Sequence, residues 1–296
     1  FVHYTHEKYT ITSNADICKL TISMKTYLVG QAQKLGLYYR QVEHVKFLGK
    51  ELKVIKGTIR KTHDKDDAWL FELAKHHSNI IDVGCNIGQA AMLMLCNDSV
   101  KKIALVDPNP LALAWAAENL IMNSFSDKAH FVPAFVSDKS DERIELYTVG
   151  VGAAGSKFKG FAKTAAKADS HFTVETLTLD LLSERLDLNP DLIKVDVEGA
   201  EYEVLKGAAK LALEIRPAFF VEMHSGPELS ITSNTENILD WCVKTGYSAW
   251  YMKTKELLSV ESIKNRGRYH ALLLPKERDF PEYLKTISEG SEIFLT

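Results

Sequence analysis

Short apolar runs of strand length punctuate the chain at 80–83 (Ile-Ile-Asp-Val), 102–106 (Lys-Ile-Ala-Leu-Val), 192–195 (Leu-Ile-Lys-Val) and 218–223 (Ala-Phe-Phe-Val-Glu-Met). Runs that are apolar at nearly every position predict strands buried on both faces, as in a parallel sheet. A further strand is predicted over 129–136, and helices over 89–96, 111–122, 201–214 and 235–245. In 111–122 the residues Leu113, Ala116, Ala117 and Leu120 fall on one face at helical spacing. Alternation of this kind predicts a doubly wound, mostly parallel sheet. Two last strands, 247–252 and 269–274, have no strong helix between them and read as an antiparallel pair at the sheet edge.

Upstream, 14–37 has the spacing of a helix capped by Asn14, with Ile17, Leu20, Met24 and Leu28 in step. Residues 45–59 alternate like strands around a hairpin turn at Gly49-Lys50, and a short helix begins near Asp66 or Asp67 with Trp69, Leu70 and Leu73 on one face. The organisation expected is an N-terminal extension over 1–63 that could cap a substrate, a main domain over 64–277 and a tail over 278–296. The stretch 150–167, rich in Gly, Ala, Ser and Lys, interrupts the alternation. It reads either as a mobile loop over a site or as a solvated insertion.

Composition narrows the class. At 296 residues, 46% hydrophobic and 25% charged, the chain can bury a substantial core and shows no sign of disorder. The net charge is −3 with no long basic block, which gives little footprint for nucleic acid and favours a small or uncharged acceptor. No apolar run reaches the roughly 18–20 residues that span a bilayer, so no membrane partner is expected, and the polar start at 1–12 is not a signal peptide. The first residue is Phe1 rather than Met, as when residues lie upstream. Cys18, Cys85, Cys96 and Cys242 lie far apart, with neither disulfide nor zinc spacing, which suggests a reducing, cytoplasmic setting. No internal repeat is present, and the pattern leaves room for a homo-oligomer.

The run 80–88 carries the most chemistry. Its strand ends in Asp82 and turns through Gly84-Cys85-Asn86-Ile87-Gly88, the strand, glycine turn and helix order of a Rossmann-like nucleotide loop. A dinucleotide loop needs a third glycine, which is missing, and a carboxylate at Asp82 would repel a diphosphate. A cationic nucleoside without phosphate, such as S-adenosylmethionine, fits better than NAD, with Asp82 available to an amino group. Cys85 reads as a small neutral side chain beside the ligand or, less simply, as a reactive thiol. Asp107 ends the next strand, 19 residues after Gly88, close to the separation of about 20 at which a Rossmann acid holds ribose hydroxyls. Pro108 and Asn109 follow it into the next helix. Asp107 could instead cap that helix.

A second group gathers at the carboxyl ends of the 192–195 and 218–223 strands, where open α/β sheets bind ligands. Asp196, Glu198, Glu222 and His224 are expected to converge there, with Glu222 and His224 two positions apart on one strand face. Glu201 reads only as an acid at a helix start. Asp196 or His224 could act as a general base. The same four side chains could alternatively hold Mg²⁺ or a transition ion, although no ligand-spacing motif is present and no metal is expected.

Together these segments resemble the FkbM family of S-adenosylmethionine-dependent methyltransferases. The resemblance runs through Asp-Val-Gly-Cys-Asn-Ile-Gly (82–88), Val-Asp-Pro-Asn-Pro (106–110), Leu-Thr-Leu-Asp-Leu-Leu (177–182), Ile-Lys-Val-Asp-Val-Glu-Gly-Ala-Glu (193–201) and Phe-Val-Glu-Met-His (220–224). It covers roughly 64–275, and many members have Ala where this chain has Cys85. It implies a Rossmann-like class I methyltransferase fold, a seven-stranded sheet with an antiparallel edge strand. It also implies S-adenosylmethionine as cofactor, bound by Asp82, Gly84, Cys85, Asn86, Gly88, Asp107, Pro108 and Asn109. Family members are usually linked to O-methylation of sugars and of hydroxyls in secondary metabolites, so the expected partner is a small-molecule or glycan hydroxyl. Two other readings remain, a nicotinamide oxidoreductase, which would need the third glycine, and a cofactor-binding module without catalysis, which would need a site without acids.

Overall fold

In the computed structural model, residues 40–293 are described apart from 61, 63 and 154. The helix expected over 14–37, and Cys18 within it, lie outside the described residues. Strands β1 (Val42–Phe47) and β2 (Lys50–Ile55) form an antiparallel hairpin. Leu48 and Gly49 between them both have positive φ, as a tight two-residue turn requires. The turn therefore sits one residue earlier than the Gly49-Lys50 pair suggests.

The main sheet starts with β3 (Asn79–Val83) and β4 (Lys102–Val106), followed by β5 (Ala129–Val132). The strand expected over 129–136 is broken at Pro133, which has no N–H to give a ladder. Its second half, β6 (Phe135–Val136), joins a separate small sheet with β7 (Arg143–Tyr147) and β8 (His171–Leu177), in the order β6-β8-β7. Residues 143–147 and 171–177 alternate polar and apolar positions, exposed on one face, instead of forming the continuous apolar runs of the central strands, and neither is among the strands expected. Next come β9 (Leu192–Val195), β10 (Ala218–His224), β11 (Tyr247–Tyr251), the two-residue β12 (Glu256–Leu257) and β13 (Arg268–Pro275).

The order across the main sheet is β12-β11-β13-β10-β9-β3-β4-β5. The strands from β10 to β5 are parallel, and β13 runs antiparallel to both β10 and β11. This is the doubly wound, mostly parallel sheet expected, lengthened by β12. The expected antiparallel pair is present as β11 and β13 at this end of the sheet, with β13 next to β10 and β12 antiparallel to β11 at the edge. The expected helix over 201–214 is divided into Glu201–Lys206 and Ala209–Glu214 around Gly207.

Two apolar layers cover the sheet. Ile81, Val83, Ile193, Val195, Phe219 and Val221 face the helices Glu201–Lys206 and Ile231–Thr245. Ile80, Leu192, Phe220 and Leu272 face the helices Asp67–Lys75 and Gln89–Leu95. Period-two alternation puts Asp82, Lys194, Glu222 and His270 on this second face. These polar groups appear only toward the carboxyl edge of the parallel strands, where the site is built. No helix among the described residues is long and apolar enough to cross a membrane.

Candidate active site

The turn after β3 is shaped by its contact with β9. Gly84 has φ +77°, and a Cβ there would stand 1.8 Å from the Asp196 carbonyl oxygen. Asp196 N donates to Val83 O, while Gly84 N and Cys85 N donate to Val106 O. Glycine at 84 is thus imposed by close backbone approach. Gly88, at φ +81°, lies 2.8 Å from the Ala116 Cβ by the same construction, so its missing side chain serves the packing of the helix Gln89–Leu95 against Pro110–Met122.

A cavity opens above this turn. Gly84, Asn86, Asp107, Pro108 and Asn109 line one part of it, and Asp196, Val197 and Glu198 another. Asp107 is 9% exposed. Its Oδ2 accepts the Asn86 N–H and its Oδ1 the Asn109 N–H, both at 2.8 Å. A carboxylate offers about four lone-pair positions, so each oxygen retains acceptor capacity for a ligand. The helix Pro110–Met122 is capped by the Asn109 side chain, which accepts from Leu111 N and Ala112 N. Asp107 is therefore free of the capping role. Burial pushes its carboxyl up to about 6, against the opposing pull of its two backbone donors. Asn86 has φ +48°, and its buried Oδ1 has no hydrogen-bond partner among the described residues.

Asp82 and Cys85 stand behind the cavity wall. Asp82 is fully buried and lies directly opposite Lys194 on β9, with Lys194 Nζ 3.2 Å from its Oδ1. A carboxylate this deep persists only when paired. Burial works against the charge of Lys194, but Asp82, Asp196 and Glu222 outweigh it and hold the ammonium well above its ordinary value. Cys85 is buried, and burial together with Asp107 and Asp82 drives its thiol far up, which makes it an inert filler.

Asp196 and Glu198 line the cavity, and the four groups expected to converge do so around one atom. His224 Nε2 lies 3.9 Å from Asp196 Oδ1, 3.8 Å from Glu198 Oε2 and 3.7 Å from Glu222 Oε1. Glu222 does not line the cavity, its Oε1 being taken by Arg268 Nε at 2.8 Å and its Oε2 lying 3.7 Å from His270 Nε2. His270 is also 3.6 Å from Asp66. Burial raises the carboxyls of Asp196 and Glu198 above the usual range even though both keep one side toward the cavity. For Glu222, burial is overcome by His270, His224 and Arg268, which bring it down.

Glu201 is the residue that sequence reasoning undervalued. It is 0% exposed, and its Oε1 accepts the His224 Nδ1 proton at 2.8 Å and the Gly199 N–H at 2.9 Å. Its Oε2 accepts from Asn234 Nδ2 at 2.9 Å. The carboxylate fixes the ring and, with Glu198 and Asp196, overcomes the effect of burial to lift His224 to about 9. An acid at a helix start carries no sequence signal of such a partner.

The segment 150–167 lies across the cavity. Ala153 and Gly155 line it, Ser156 Oγ donates to the Glu198 carbonyl at 3.0 Å, and the Phe161 ring occupies the space left by the absent side chains of Gly199 and Gly226. A short helix, Lys163–Lys167, closes the segment.

Comparison with known proteins adds a family. Residues 82–249 match the methyltransferase FkbM domain. The hexuronic acid methyltransferase AglP of Haloferax volcanii is 30% identical over 161 residues, or 53% of this chain and 60% of that protein. The match therefore spans less than two thirds of that relative. Among solved structures, the methyltransferase FkbM of Methylobacillus flagellatus is similar with a TM-score of 0.44 and 14% identity, over 67% of this chain and 43% of that one. An O-methyltransferase of Bacillus cereus in complex with SAH gives a TM-score of 0.42 and 10% identity, over 72% of this chain and 81% of that one.

Proposed function

This chain belongs to the FkbM methyltransferase family, and from that premise we propose that it O-methylates a hydroxyl of a sugar, glycan or related small metabolite, with S-adenosylmethionine as donor. The observation that carries this reading is a single cavity lined both by the ribose-type acid Asp107 and by Asp196 and Glu198, the carboxylates that face His224. Support for a sugar acceptor comes from the relative described as a hexuronic acid methyltransferase.

The cavity suits such a cofactor. Asp107 has acceptor capacity for two vicinal hydroxyls, and the orphaned Asn86 Oδ1 awaits a donor. Neither glycine of the turn is given over to a diphosphate, since Gly84 meets Asp196 and Gly88 meets Ala116. Pro108 and Asn109 complete the wall beside Asp107. Asp82, neutralised by Lys194 below the turn, supports the site from behind.

When bound, S-adenosylmethionine supplies a methyl group on a positively charged sulfur, open to in-line attack by an oxygen nucleophile. The residues of the cluster must receive the acceptor hydroxyl and take its proton, a contribution of about 10²–10⁴-fold for a well-placed base. Since His224 holds its proton up to about 9, the proton acceptor at neutral pH is a carboxylate of the cluster, with Asp196 and Glu198 facing the cavity. Their raised carboxyls make them better bases than exposed ones. His224, turned by Glu201, positions the hydroxyl and offsets the crowding of negative charge. The 150–167 segment shields this end from bulk water.

Calorimetry with S-adenosylhomocysteine and NAD separates this reading from a nicotinamide enzyme, with only the former expected to bind. Asp107→Ala should weaken that binding by about 1.5–3 kcal/mol, the size of a lost charged hydrogen bond. Unchanged affinity would remove Asp107 from the site. The carboxyl sits at about 6 in the free protein, and hydroxyl donors favour its ionised form. Affinity should therefore be flat above about pH 7, halve near pH 6, and fall toward about tenfold per pH unit below that until the carboxyl of the complex is itself protonated. Asp107→Asn should abolish this slope, and a slope that survives the substitution would assign it to another group.

A further inference from the structure

His224 is held as a metal-binding histidine is held. Behind the ring, the fully buried Glu201 takes the Nδ1 proton at 2.8 Å and is itself fixed by Gly199 N and Asn234 Nδ2. In front, Nε2 is buried in a residue only 6% exposed and has no hydrogen-bond partner among the described residues. It faces Asp196 Oδ1 at 3.9 Å and Glu198 Oε2 at 3.8 Å. These separations are too long for hydrogen bonds. They suit two ligands of one ion, because groups each about 2.1 Å from a small dication stand no more than about 4.2 Å apart. The three ligand atoms all lie within 4.8 Å of one another. A carboxylate that fixes one imidazole nitrogen so that the other can bind an ion is the usual outer-shell arrangement of metal histidines.

The surrounding charges leave this position to a cation. Asp196 Oδ2 is turned to Lys194 Nζ at 3.4 Å, which directs Oδ1 toward His224. Glu222 is engaged by Arg268 and stands outside the ligand set. We propose that Asp196, Glu198 and His224 bind one divalent cation beside the cavity, the cation displacing the proton from His224 Nε2. Two carboxylates and no thiolate call for an ion of the Mg²⁺/Mn²⁺ class, and the imidazole favours Mn²⁺ over Mg²⁺. The catalytic consequence rests on the function proposed above. There the ion holds the acceptor hydroxyl and lowers the cost of its ionisation, the proton passing to a carboxylate oxygen outside the coordination.

The test uses Mn²⁺ alone, titrated into the protein and followed by electron paramagnetic resonance, with S-adenosylhomocysteine binding measured on the same samples. Bound Mn²⁺ should saturate at one ion per chain and bind at least tenfold more weakly in Glu198→Gln and in His224→Ala. The near-isosteric Glu198→Gln keeps the result readable should His224→Ala fail to fold. Asp66→Asn, in the neighbouring group of Asp66, Glu222 and His270, should leave Mn²⁺ affinity unchanged. A protein that binds S-adenosylhomocysteine but no stoichiometric Mn²⁺ overturns the cation site and leaves the proposed function standing. Mn²⁺ binding that is lost only in Asp66→Asn overturns it as well, by moving the ion to the other group. Retained Mn²⁺ binding without any affinity for S-adenosylhomocysteine supports the cation site and contradicts the function.

Discussion

Gly84→Val should abolish detectable S-adenosylhomocysteine binding and lower the thermal midpoint of the protein. A Cβ at this position would stand 1.8 Å from the Asp196 carbonyl oxygen, a backbone atom that no rotamer change can move. The left-handed backbone, at φ +77°, adds about 1–2 kcal/mol of strain for any L side chain. Relief requires β3 and β9 to separate at the point where Asp196 N meets Val83 O, which disturbs the cofactor turn and the acid cluster together. Gly57→Ala is the control, since Gly57 has φ +83° with nothing within 4 Å of its Cβ position. It carries the strain without the collision and should leave ligand binding intact. Calorimetry and a melting curve on the two variants decide the matter, and retained binding in Gly84→Val would refute the role given to the turn.

Asp196→Asn and His224→Ala should each lower turnover on the true acceptor by about 10²-fold or more, the low end of general-base effects. Affinity for S-adenosylhomocysteine should stay within about tenfold, or 1.4 kcal/mol. The division follows from geometry, because Asp107 takes the Asn86 and Asn109 N–H groups beside the turn, whereas Asp196 and Glu198, which also line the cavity, face His224 Nε2. A residue that serves catalysis alone changes kcat and leaves ligand binding untouched, whereas a merely structural residue loses both. Near-normal turnover in both variants would leave the cluster without a catalytic role.

Much of this site can be read along the chain, because its parts stand at strand ends. A buried run followed by Asp or Gly marks the edge of a parallel sheet, and that alone locates Gly84, Asp107 and Asp196. Which way a side chain turns is less visible. Asp82 reads as a ligand group, yet strand alternation places it beneath the turn opposite Lys194, whose charge it neutralises. Glu201 reads as a helix-start acid, and only the packing of the helix Ile231–Thr245 against β10 brings Asn234 and His224 onto it. Asp66 and His270 are 204 positions apart (270 − 66) and meet because β13 inserts next to β10. The small sheet was missed for a related reason, since its strands are exposed on one face and lack the continuous apolar runs that mark the central ones.

Transfer of a labelled methyl group tests the central claim most directly. Trideuteromethyl S-adenosylmethionine is incubated with the protein and a panel of sugars, uronic acids and hydroxylated metabolites, and products are resolved by mass spectrometry and NMR. The expected result is one acceptor carrying the label as an O-methyl ether, formed by the wild type and reduced by about 10²-fold in Asp196→Asn. Label on nitrogen or carbon, or tight binding of the cofactor with no transfer to any hydroxyl, would contradict the account.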